Sequence, residues 1–114
     1  MNIDKIYQSV GDNAEEVVGR LVSRQNVERF LTKFASDNTF ATLQKAMDEA
    51  DVQGAFIAAH TLKGVALNLG FSALGRSASD LTEILRRKTF DGAPEAFAKV
   101  QSDYNRVLTA IRTY

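Results

Sequence analysis

Apolar residues return at intervals of three and four along almost the whole of this 114-residue chain, and only one proline, Pro94, interrupts the pattern. That spacing is the period of an amphipathic α-helix, whereas a half-buried strand would alternate at two, and no segment does so. Ile3, Ile6, Tyr7 and Val10 form a first stripe, and Val17, Val18, Leu21 and Val22 a second. Gly11 ends the first, and Asp12 with Glu15 resembles a capping box for the second. A third helix after Ser23 carries Val27, Phe30, Leu31 and Phe34, then breaks or bends at Ser36-Asp37-Asn38, residues that prefer caps to helix interiors. Phe40, Leu43, Ala46, Met47 and Ala50 turn inward on a fourth. Asp51 is suited to capping a fifth, which Gly70 and Ser72 stop and restart. Phe71, Leu74, Ala78, Leu81, Ile84 and Leu85 stripe the sixth, which ends near Arg86-Arg87-Lys88, cations that complement a helix C-terminus. Pro94 falls in the first turn of the last, whose stripe is Phe97, Val100, Tyr104, Val107, Leu108, Ile111 and Tyr114.

Short connections between such helices imply antiparallel neighbours. The expected fold is all-α and a single domain over 1–114: an antiparallel four-helix bundle from 38 to 114, with residues 1–35 as extra short N-terminal helices packed at one end. The absence of cysteine excludes disulfides, thiolate metal sites and thiol catalysis. Fourteen lysines and arginines balance fourteen aspartates and glutamates, so no long-range field draws the chain to nucleic acid or anionic lipid. No stretch approaches the roughly 18 apolar residues of a membrane span. Met1-Asn2-Ile3-Asp4-Lys5 lacks the basic and apolar regions of a signal peptide, which points to the cytoplasm. Asp48-Glu49-Ala50-Asp51 lacks the spacing of a cation-binding loop, and no metal site is expected.

The chain has one histidine, His60, in the run His60-Thr61-Leu62-Lys63-Gly64. Winding residues 51–69 at 100° per residue collects Ala55, Ala58, Ala59, Leu62, Val65, Ala66 and Leu69 on one side, the core side. The other side holds Gln53, Phe56, Ile57, His60, Lys63, Gly64 and Leu67. His60 therefore faces solvent, and Gln53, Phe56, Ile57 and Leu67 form a candidate docking surface for a partner. A neutral imidazole is a good nucleophile near neutral pH and can carry a covalent group. Lys63, one turn on, could contact an anionic group attached to the ring. Gly64 costs about 1 kcal/mol in a helix interior relative to Ala, and open space for a partner's approach to His60 would compensate for it. Gly75, by contrast, is expected to serve close packing between helices.

His60-Thr61-Leu62-Lys63-Gly64 followed by Asn68-Leu69-Gly70 resembles the phosphorylation motif of histidine-containing phosphotransfer (Hpt) domains. Phe30-Leu31-Thr32-Lys33-Phe34 resembles that family's helix leading into the bundle, and Leu81-Thr82-Glu83 a segment on the neighbouring helix. Val65 departs from the smaller residue common there, and Thr82 separates the usual Leu-Glu pair. The resemblance implies a phosphocarrier without autokinase activity, in which His60 accepts a phosphoryl group from a receiver-domain aspartate and passes it to another receiver. It also implies response-regulator receivers and a hybrid sensor histidine kinase as partners, with Mg²⁺ on the receiver and no cofactor on this chain, which is expected to be a monomer. The rival from another class is a bundle that docks a receiver or kinase without carrying phosphate.

Overall fold

The computed structural model describes Met1–Tyr114 throughout, as seven helices and no strand. They are α1 (Ile3–Ser9), α2 (Ala14–Leu21), α3 (Arg24–Ser36), α4 (Thr39–Asp48), α5 (Val52–Asn68), α6 (Ser72–Arg86) and α7 (Ala93–Thr113). No helix is long and apolar enough to cross a membrane.

The helix starts follow from side chains that accept the unpaired N–H groups of a first turn. Asn2, Ser23 and Asp51 accept from the backbone three residues on, at 3.1, 3.1 and 2.9 Å. Asn13 accepts from Glu15 at 2.9 Å. The expected Asp12–Glu15 box is therefore corrected: Asn13 caps α2, and the Asp12 carboxylate instead takes the Ser72 N–H at 3.2 Å and the Ser72 hydroxyl at 2.6 Å. Asp12 thus supplies the cap that α6 lacks locally, across 60 residues of sequence.

Three stripe residues are also corrected at helix ends. Val22 ends α2 with φ +81° and is 83 % exposed. Ala50 lies beyond α4 at φ +53° and is exposed. Tyr114 falls past the last turn and stays 42 % exposed. Phe30, within α3, is 39 % exposed, at the edge of a stripe whose centre is Val27, Leu31 and Phe34. Periodicity assigns a face but does not say how wide the neighbours make it.

Helices α4, α5, α6 and α7 pack in sequence order, each against the next, as an antiparallel bundle. One apolar core runs through the molecule from Ile3 to Ile111. Alanines 55, 58, 59 and 66 form the buried face of α5 with Leu62, small enough to let α4 and α6 approach closely. The break at Asp37, whose Oδ1 accepts from the Thr39 N–H at 2.6 Å, joins α3 to α4. Phe34 near the end of α3 and Phe40 at the start of α4 both meet Tyr104 of α7, with ring centres 5.7 and 4.2 Å away. Helix α3 buries Val27, Leu31 and Phe34 in this core, as α1 buries Ile3, Ile6 and Tyr7, and α1 and α2 form the end group.

That end group closes the turn between α5 and α6. The buried Tyr7 hydroxyl donates to the Leu69 carbonyl at 2.5 Å, and the Tyr7 ring stacks on Phe71 at 4.9 Å. Arg20 donates to the carbonyls of Leu67 and Asn68, the last acceptors of α5. Gly70 sits in this turn at φ +77°, and a Cβ there would run into the Val17 side chain. Both constraints demand glycine.

Candidate functional site

Helix α5 presents its outer face from a start capped by Asp51 to an end capped by Arg20. The Asp51 carboxylate folds back over Gly54, where any Cβ would collide with it. Midway along, His60 is exposed, while Ala58, Ala59 and Leu62 beside it are buried. The imidazole lies nearly parallel to the Phe56 ring, 15° between planes and 6.1 Å between centres, on the preceding turn. None of the three ion pairs in the molecule involves His60, so no carboxylate orients the ring. No group of three or more His, Asp or Glu side chains is placed to hold a metal ion.

One turn after His60, Gly64 is exposed, and a Cβ built there meets nothing within 4 Å. This glycine serves no packing contact. Gly75 is the opposite case, since a Cβ there would overlap the Leu67 side chain, which leans across α6. Lys63 is half-buried on the same turn as Gly64.

The four residues expected to form a docking surface lean towards different neighbours. Phe56, half-buried, faces α6 and carries the Arg86 guanidinium over its ring, 5.0 Å from the centre. Ile57, 55 % exposed, turns towards α4 and lines a groove of about 270 Å³ with Asn38, Thr39, Thr42 and Thr61. Leu67 is 47 % exposed over Gly75, two turns beyond His60. Gln53 is exposed in the first turn of α5. His60 thus stands between an uncharged flank towards α4 and a charged flank towards α6.

The charged flank was not visible in the sequence. Arg86 is bound by Glu83, Nε at 3.2 Å from both carboxylate oxygens and Nη2 at 3.1 Å from Oε2. That hydrogen bond, with the charges of Arg86, Lys63 and Arg87, holds the Glu83 carboxyl below its usual range. In the sequence, Arg86-Arg87-Lys88 reads only as a basic helix end. Which residues of α6 lie beside His60 depends on how α5 and α6 cross.

The family model for the Hpt domain matches residues 27–110. No curated protein and no solved structure matches the chain. The matched span begins inside α3 and ends inside α7, so it takes in the four packed helices and the stretch of α5 around His60, and leaves out α1 and α2. With that match over most of its length and an all-helical bundle to accompany it, the chain belongs to the Hpt domain family, whose members are phosphocarriers for histidine phosphotransfer in phosphorelays.

Proposed function

We propose that His60 is the residue of this chain that carries the phosphoryl group, taking it from the aspartyl phosphate of one receiver domain and giving it to the aspartate of another. The observation that carries this reading is a solvent-facing imidazole, with no carboxylate partner, beside a helical glycine that fills no packing role. In the forward step a lone pair of the ring nitrogen farther from the backbone attacks phosphorus. The N–P bond forms as the acyl O–P bond breaks, the carboxylate leaves with the bonding pair, and the proton on the other ring nitrogen can pass to water. In the reverse step a second receiver's carboxylate attacks phosphorus, the acyl O–P bond forms as the N–P bond breaks, and the ring takes a proton back from water to regenerate the imidazole.

Such a transfer passes through a loose transition state in which positioning and charge neutralisation do most of the work. His60 supplies the nucleophile, Lys63 a cation within one turn, and Gly64 the room for a partner's loop. Mg²⁺ and the acidic residues that hold it belong to the receiver in this reading, and a hybrid sensor kinase stands upstream. Gln53, Phe56, Ile57 and Leu67 contribute docking contacts on the outer face of α5 around the imidazole.

The test is transfer from a phosphorylated receiver, with Mg²⁺, to the wild-type protein and to His60→Gln. Acid-labile, alkali-stable label on the wild type alone is the expected result. Receiver binding without label would replace this reading with that of a docking bundle.

A further inference from the structure

The cation over the Phe56 ring is not free. Glu83 grips Arg86 from one turn earlier on α6, and the pair is about half exposed, at 52 % and 51 % for the two side chains. Lys63 acts on the same carboxylate. Glu83 thus pairs with Arg86, the cation that reaches the His60 stack through Phe56, while Lys63 lies one turn along α5 from the ring. A phosphoryl group on His60 would bring nearly two negative charges and strong acceptor oxygens into this set. It would compete with Glu83 for Arg86, whose guanidinium lies over the Phe56 ring that stacks beside His60.

Resting on the reading of His60 as the phosphoryl carrier, we propose that Glu83 is a positioning residue that regulates the phosphohistidine: it holds Arg86 on Phe56 in the unmodified protein and yields it to the phosphoryl oxygens once His60 is modified. The consequence falls on lifetime. Cleavage of the N–P bond through a loose transition state moves negative charge off the phosphoryl oxygens towards the ring. A cation on those oxygens therefore stabilises the bound state more than the transition state and slows loss to water. Glu83, by competing for that cation, shortens the lifetime, and Arg86 lengthens it.

The experiment loads His60 with phosphoramidate, a small donor that needs no receiver, in which the imidazole nitrogen displaces ammonia from phosphorus. The decay of the label is then followed in wild type, Arg86→Ala, Glu83→Gln and the double variant, with far-UV circular dichroism to verify the fold. Relative to wild type, a lifetime about threefold shorter is expected for Arg86→Ala and about threefold longer for Glu83→Gln, the scale of a half-exposed charge contact. In the double variant the Glu83 effect should vanish, and high salt should compress all the differences. Arg86→Lys should recover part of the lifetime. A Glu83→Gln effect that persists without Arg86, or unchanged lifetimes in both single variants, overturns the inference and leaves the carrier reading standing. No label on the wild type overturns both.

Discussion

Four glycines lie within helices, and the structure sorts them into two that meet nothing and two that are covered, which turns the role of Gly64 into a quantitative prediction. Gly19 and Gly64 have no atom within 4 Å of a built Cβ, whereas Gly54 lies under the Asp51 carboxylate and Gly75 under Leu67. Replacing an unhindered helical glycine by alanine gains about 0.8–1 kcal/mol from helix propensity. Gly64→Ala and Gly19→Ala should each stabilise by about that much, roughly 4 °C in Tm for a domain of this size. Gly54→Ala should gain nothing, because displacing the Asp51 cap costs about 1 kcal/mol and offsets the propensity. The functional readout separates the two open sites. Gly64→Leu keeps most of the propensity gain but puts a branched side chain one turn from the imidazole, and it should slow transfer from a phosphorylated receiver about tenfold, or about 1.4 kcal/mol in the barrier. Gly19→Ala should leave transfer unchanged. Urea unfolding followed at 222 nm, paired with single-turnover transfer, measures both quantities on the same samples. A folded, stabilised Gly64→Leu protein that transfers at the wild-type rate would refute the argument that this glycine is kept for access.

Two further predictions concern the frame around the site. Tyr7→Phe keeps the stack on Phe71 but leaves the Leu69 carbonyl without its hydroxyl donor, so it should cost about 1–3 kcal/mol. Burial, and secondarily the charge of Asp12, raises the Tyr7 phenol above its ordinary pKa of 10.0. The folded state therefore holds that proton more tightly, and the Tyr7 contribution is full below pH 10.0 and declines as pH rises beyond it. Urea titrations of both proteins from pH 8 to 12 should show the gap narrowing only above pH 10, and a constant gap would mean the phenol is not the titrating group. Phe34→Ala removes a ring buried between Phe71 and Tyr104 and should cost about 3–5 kcal/mol in thermal or urea unfolding. A loss below about 1 kcal/mol would mean that the Phe34 ring is not packed in the core, since surface changes away from packed features have effects of that small size.

Much of the fold was legible because helical periodicity, caps and breakers act over a few residues. The break at Ser36-Asp37-Asn38, the Asp51 cap and the Gly70 turn all depend on local hydrogen bonds and backbone torsions, and each lies where the residues indicate. So does the outward turn of His60, because the alanines opposite it define the inward face of α5. The misreadings share a different cause. Asp12 looked like a local cap, yet its carboxylate reaches Ser72, 60 residues away, because α1 and α2 fold onto the α5–α6 turn. Phe34 likewise meets Phe71 and Tyr104, rings far along the chain that no local pattern pairs with it.

The same division runs through the site. An exposed imidazole, a lysine one turn on and an unhindered glycine are properties of one helix, and a helix is set by neighbours three and four residues apart, so the sequence alone determined them. Where Phe56 and Ile57 lead, one towards Arg86 and the other towards Thr39 and Thr42, was decided only by how α4 and α6 pack on either side of α5. So was the pairing of Glu83 with an Arg86 that lies over the Phe56 ring beside His60. Crossing geometry comes from the fit of whole side-chain surfaces, here the small alanine face of α5 and Leu67 over Gly75, and no local pattern in the chain encodes it.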